Sequence, residues 1–399
     1  MAERKRWHVV AALGSAQTLA WASSYYLPAM LAKGMAADIG VSVPTVFLAF
    51  SLALVVSAAV GPVAGRSIDR WGGRPVLMAT NLVFAAGLCG LAFAQGPMTM
   101  FAAWVVLGIG MGSGLYEGAF AALVRLYGHD SRGAITGITL IAGFASTVGW
   151  PLSTLMEAQF GWRGACAGWA LLHIVVGLPL NWSIPRASNF EVEPPKKAAH
   201  TVTPTTAAEV RPKYVVEGLL AFVFAATWFT STAMAAHLPA LLQASGATLA
   251  MAVAIGALVG PAQVAARLLE FGFLRRMHPL LSARLASLAH PVGAALLLIA
   301  GAPLAALFAV LHGGGHGILT IAKGTLPLVL FGPQGYGARQ GYLMVPARVC
   351  QAAAPALFGL CLERWGVGAL WVSGAIGVLA FIALLAMPQQ APEPSATGH

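Results

Sequence analysis

Apolar residues run along this chain in stretches long enough to cross a bilayer, each closed by a short group of glycines, prolines or charges. Twelve such stretches can be drawn, near 8–30, 44–65, 75–95, 98–124, 133–157, 164–184, 214–241, 247–270, 280–301, 303–329, 341–361 and 367–387. Each reaches or exceeds the roughly 20 residues that a helix needs to cross the hydrocarbon core. None shows the period-two alternation of an outer-membrane barrel strand. The predicted fold is therefore an all-α polytopic membrane protein with 12 transmembrane helices. Residues 186–213 break the rhythm, being rich in Pro, Thr, Ala and charge, and read as a flexible linker. The chain thus divides into a six-helix bundle over 1–185, the linker over 186–213, a second six-helix bundle over 214–388 and a tail over 389–399.

The two halves echo each other. Leu27-Pro28-Ala29 at the end of the first span returns as Leu238-Pro239-Ala240 at the end of the seventh. Gly61-Pro62 returns as Gly260-Pro261, and Trp150-Pro151 has an approximate counterpart in Ala354-Pro355. Matches in one order at a near-constant offset indicate two parallel repeats, a pattern common among secondary transporters.

Composition removes whole classes of function. Of 399 residues, 58% are hydrophobic and 9% charged, against about 25% charged in soluble domains. The net charge of +10 does not imply nucleic-acid binding. With the N-terminus placed in the cytoplasm, every Lys and Arg except Lys33, Arg163 and Arg364 falls on the cytoplasmic side or in a cytoplasmic half-helix. That is the positive-inside asymmetry, and an even number of spans then puts both termini in the cytoplasm. The basic opening resembles a secretory n-region but leads into a full span carrying Gln17 and Tyr25-Tyr26 with no clean cleavage site, so it reads as an uncleaved first helix. Cys89, Cys166, Cys350 and Cys361 lack metal-ligand or disulfide spacing. No P-loop, HExxH, nucleophile elbow or paired catalytic carboxylates occur, so neither direct ATP drive nor an enzyme is indicated.

The turn between spans 2 and 3, GPVAGRSIDRWGGRPVLM, carries the most specific motif. Gly65, Asp69, Arg70, Gly72 and Arg74 stand where the major facilitator superfamily has Gly, three residues, Asp-Arg, one residue, Gly and basic residues, with Gly73 at a position often basic. The Gly161-Trp162-Arg163 entry to span 6 and the six-plus-six division extend the resemblance over essentially the whole chain. It implies that helices 1, 4, 7 and 10 line a central cavity. It also implies that Asp69 meets the start of span 11, with Arg348 two turns in, so that Gly65, Asp69, Arg70, Gly72, Arg74 and Arg348 form a gate. Two departures leave direction open. Trp104 replaces the Arg that many drug exporters carry in span 4, and Trp150 replaces a Gly before Pro151 in the glycine-rich span 5.

Ionisable residues inside a span are costly and mark function by default. Glu117 in span 4 is the candidate proton carrier, with a structural ion pair as the plainer reading. Lys323 in span 10 lies within a turn of the repeat counterpart of Glu117. As a cation facing the cavity it would draw a small carboxylate; as a snorkelling lysine it would reach headgroups. His312 and His316, one turn apart, suit cavity lining better than a metal, since no carboxylate or Cys stands nearby to complete a site. Gln17, Trp21, Ser24 and Tyr25 share one face of span 1 and suit a small organic solute, although an aromatic belt explains Tyr26 equally. Trp228 and Thr232 are weaker candidates, and His173 and His237 read as packing groups.

The sequence points to a secondary transporter of a small organic solute, proton-coupled and anionic in substrate, working by alternating access in the cell inner membrane. The competing reading is a proton-driven efflux antiporter for a hydrophobic or toxic compound. No metal or cofactor is expected, and the expected partners are the substrate, protons and the lipid bilayer, with the protein acting as a monomer.

Overall fold

A computed structural model of the chain describes residues 2–186, 213–273 and 277–388, with side chains from Arg6 onward and excepting Val253. The linker and tail drawn from the sequence lie almost entirely outside the described residues. Among the described residues the structure is helical with no strand. Sixteen α-helices follow one another: α1 (Ala2–Ser23), α2 (Leu27–Ile39), α3 (Val43–Trp71), α4 (Gly73–Ala92), α5 (Pro97–Gly114), α6 (Tyr116–Tyr127), α7 (Arg132–Ala142), α8 (Ala145–Leu172), α9 (Leu178–Trp182), α10 (Lys213–Ala244), α11 (Leu249–Gly256), α12 (Val259–Gly272), α13 (Pro279–Ala300), α14 (Ala305–Phe331), α15 (Tyr336–Trp365) and α16 (Ala369–Leu385).

These helices build twelve crossings in two bundles of six. Among the described residues, eight helical runs are long and apolar enough to cross a bilayer, and two of them, Pro97–Trp182 and Tyr336–Leu385, span 86 and 50 residues. The first folds back into three crossings and the second into two, since one crossing takes about 20 residues. The α1–α2 segment supplies the remaining one. Large apolar side chains face outward all round, with Phe93 80% and Ile299 83% exposed. Such a surface is stable against lipid and not against water.

Several crossings are broken, and each break has a local cause. Pro28 sits at the start of α2, and the turn before it is closed by Tyr26 N–H donating to the Trp21 carbonyl at 3.0 Å. Its repeat counterpart Pro239 lies inside an unbroken α10. The extended backbone of Leu115 (φ −76°, ψ −165°) separates α5 from α6 in the middle of the fourth crossing. At the other end of α3, Ser42 caps the helix by accepting from Thr45 N–H at 3.3 Å. Gly72 alone joins α3 to α4 with φ +84°, a conformation that favours glycine.

The buried apolar residues form one cluster drawn mainly from Val9 to Ile184 and two drawn from Val216 to Met387. The two bundles meet chiefly where α3 lies along α15, with a second contact of α7 against α12 and α14. At the α3–α15 seam the backbones nearly touch. A Cβ on Gly341 would come 2.6 Å from the Gly61 carbonyl carbon, and one on Gly65 would collide with the Gly337 carbonyl.

Candidate transport site

The break at Leu115 makes the site. It restarts the helix at Tyr116, so Glu117 occupies the first turn of α6, where the helix dipole favours a negative charge. It also frees the Gly114 carbonyl, which accepts from Gln17 Nε2 at 2.6 Å. Irregular backbone inside a membrane needs such a partner. Gln17 on α1 therefore braces the break that positions Glu117.

The Glu117 carboxylate bridges the two bundles. Oε1 accepts from Lys323 Nζ of α14 at 2.8 Å, and Oε2 accepts from Arg348 Nη2 of α15 at 3.0 Å. Lys323 is fully buried, so it does not snorkel to headgroups. Its ammonium lies over the rings of Trp228 (4.4 Å), Tyr116 (5.3 Å) and Phe120 (5.9 Å). Arg348 Nη1 donates to Gln351 Oε1 at 3.1 Å, Gln351 Nε2 donates to the Tyr25 hydroxyl at 3.0 Å, and Tyr25 lies 3.4 Å from Thr232 Oγ1. The charged centre is thus two cations and one anion at the interface of the bundles, continued by a neutral hydrogen-bonded chain. A cavity of about 10 Å³ beside Glu117 and Arg348, lined also by Ser57 and Gly341, is about the size of one water. The site is closed in this conformation.

Asp69 lies at the other end of the α3–α15 seam. Its oxygens accept from Gly337 N–H at 2.9 Å and Ala338 N–H at 2.8 Å, in the first turn of α15. This is the dipole-favoured position for a carboxylate. Arg348 is absent from this cluster: the sequence grouped it with the gate, and the structure places its guanidinium on Glu117. Arg70 and Arg74 lie over the rings of Trp71 and Trp182 rather than on Asp69. A second polar contact between the bundles had no sequence signal of its own. Arg132 of α7 donates to Glu270 of α12 at 2.9 Å, and Arg267 donates to the Thr139 carbonyl at 2.9 Å.

The remaining candidates divide. Trp21 is buried and packs against Tyr25, Tyr26 and Tyr116, with ring centroids 4.9–6.2 Å away. The Ser24 hydroxyl is used up by the Ala20 carbonyl. His316 lies beside the Trp228 ring and 3.2 Å from Ser231 Oγ. His312 meets α13, with Nδ1 3.0 Å from Nδ1 of His290, a residue the sequence reading passed over. His173 is held between Ser23 Oγ at 2.7 Å and Asn81 Oδ1 at 2.9 Å, and His237 Nε2 lies 2.7 Å from the Pro355 carbonyl. All four cysteines are free.

The sequence profile of the Major Facilitator Superfamily matches residues 13–322, most of the chain. The chain belongs to that superfamily. It is a multi-pass membrane transporter of small solutes, with the family and fold of transporters rather than of enzymes. It is 27% identical over 367 residues to the uncharacterized 38 kDa protein in the 23S RNA operon of Thermoproteus tenax, covering 92% of this chain and 91% of that one. It is 33% identical over 121 residues to monocarboxylate transporter 11 of Mus musculus, covering 29% of this chain and 26% of that protein. The crystal structure of the human organic anion transporter MFSD10 shares the fold, with TM-score 0.72 and 17% identity over 96% of this chain and all of that one.

Proposed function

We propose that this protein is a proton-coupled transporter of a small monocarboxylate. The observation that carries the reading is the Glu117 bridge, with one carboxylate oxygen on Lys323 and the other on Arg348. As described, the centre carries a net formal charge of +1. Protonating Glu117 releases two cations into a site with room for about one water, where an unpaired charge is costly. A substrate carboxylate then takes the place that the Glu117 carboxylate gives up, accepting from Lys323 as a point charge and from the planar Arg348 fork. Proton and monocarboxylate together restore the net charge of +1. Either one alone changes it. Electrostatics therefore couples the two, and the similarity to a monocarboxylate transporter supports the same substrate class.

The bundles 1–185 and 214–388 rock about this centre. In this reading the Asp69 end faces the cytoplasm of a cell whose inner membrane holds the protein. Asp69 on the start of α15 and Arg132 on Glu270 are the latches that part when that side opens. Glu117 belongs to one bundle and its two cations to the other, so protonation also loosens the central tie between them.

The test is thermal stabilisation of the purified protein against small carboxylates, lipophilic cations and neutral compounds, since a ligand of the folded state raises apparent stability. Stabilisation by a monocarboxylate, stronger at acidic pH and lost in Lys323→Ala, is the expected result. Stabilisation only by lipophilic or neutral compounds overturns it in favour of the export reading.

A further inference from the structure

The second bundle contains a polar pocket that the charged centre does not use. It lies between α10, α13, α14 and α16, has a volume of about 30 Å³, and is lined by Thr227, Thr230, Ser287, His290, His312 and His316 together with alanines, glycines and one leucine. That volume accommodates one or two waters, or a single terminal hydroxyl-bearing carbon. Three buried polar atoms around it have no hydrogen-bond partner: Thr230 Oγ1, His290 Nε2 and His316 Nδ1. Thr230 and His290 are more than nine-tenths buried. Unsatisfied groups at such depth are expensive unless something polar visits them.

The chemistry of the lining narrows the visitor. No Asp, Glu, Lys or Arg lines the pocket, so neither a second carboxylate nor an ammonium finds a counter-charge. Imidazoles and hydroxyls both donate and accept, which suits the hydroxyl group. The pocket is also in register with the charged centre. His312, His316 and Lys323 fall on one stripe of α14, and His316 lies two turns from Lys323, a rise of roughly 10 Å. Trp228 bridges that interval, with its ring 4.4 Å from the Lys323 ammonium and 5.4 Å from the His316 ring. The indole is buried here with the Lys323 ammonium over its face, and a carbon chain that joins the charged centre to the pocket passes along it as Lys323 turns to the substrate carboxylate.

We infer that the pocket receives the hydroxylated end of the substrate, which makes the substrate a polyhydroxy monocarboxylate of about five or six carbons, held by its carboxylate at Lys323 and Arg348. The inference rests on the carboxylate reading of the charged centre, and three probes keep the two apart. Gluconate carries both features, hexanoate only the carboxylate, and glucitol only the hydroxyls. Binding of each is measured by thermal stabilisation and by competition with labelled gluconate uptake in proteoliposomes. Gluconate is expected to bind about tenfold or more tighter than either partial mimic, the scale of one or two lost hydrogen bonds. Thr230→Val, near-isosteric, and Ser287→Ala are each expected to shrink the gluconate-over-hexanoate ratio severalfold while leaving hexanoate affinity in place. Hexanoate equal to gluconate, or a ratio untouched by both variants, overturns the pocket while the carboxylate site stands. Glucitol equal to gluconate overturns the carboxylate site and leaves the pocket. Binding of none of the three overturns both.

Discussion

Glu117→Gln isolates the coupling step. The amide keeps the shape of the side chain and removes its charge, imitating permanently the protonated state. Glu117 gives one oxygen to Lys323 at 2.8 Å and the other to Arg348 at 3.0 Å, and both cations are almost fully buried. Removing one member of such a buried set costs about 3–5 kcal/mol, so the ligand-free variant melts well below the parent. A monocarboxylate at 100 times its Kd returns about 2.7 kcal/mol, recovering more than half of the loss. The parent gains the same amount only at a higher concentration near neutral pH, because its Glu117 carboxylate already holds both cations. Transport separates the roles further. A gradient of one pH unit stores about 1.4 kcal/mol per proton, enough for roughly tenfold accumulation by one-to-one symport. In proteoliposomes with the acid side outside, the parent should approach that ratio. The variant should exchange labelled for unlabelled monocarboxylate but settle at a ratio of about one. Accumulation by Glu117→Gln that follows the pH gradient as the parent does would refute the assignment of Glu117 as the proton carrier.

Two other perturbations address the latches. Asp69→Asn discards the charge and, with one acceptor oxygen in place of two, one of the two hydrogen bonds to the start of α15, each worth about 1.5–3 kcal/mol to the closed state. Turnover is expected to fall about ten- to hundredfold with substrate affinity nearly unchanged, and equal losses of both in a flux assay would remove Asp69 from the gate. Glu270→Gln weakens the half-buried bond to Arg132. In that background Thr136→Cys on α7 should react severalfold faster with an impermeant maleimide applied from the Asp69 side, and an unchanged rate counts against a second latch.

The spans were legible because hydropathy integrates over a whole crossing. Their interruptions were not, because the glycines around Leu115 equally suit close packing in an unbroken helix, and the extended backbone of Leu115 is visible only in the structure. Glu117 and Lys323 stood out as charges inside spans, and the repeat placed them at similar depth. Depth along a helix does not fix its facing, however. For that reason Arg348 was grouped with Asp69, when α15 in fact presents its first amides to Asp69 and turns Arg348 toward α6. Arg132 and Glu270 sit near span ends, where charges ordinarily report topology, so nothing in the sequence set that pair apart. His290 gave no signal as a lone histidine in the ninth apolar stretch, and only the approach of α13 to α14 pairs it with His312.

The glycine contacts between α3 and α15 also shape the thermodynamics of opening. Gly61, Gly65, Gly337 and Gly341 meet backbone to backbone, so this part of the seam freezes no side-chain rotamers when it shuts. It also exposes little apolar carbon when it parts, and exposed apolar area is what gives a transition a large heat capacity. Opening at this seam is therefore governed by a few polar contacts with nearly constant enthalpy. The balance between its two positions should follow a nearly straight van't Hoff line, with a slope set by the polar contacts that break and little of the curvature that apolar exposure brings.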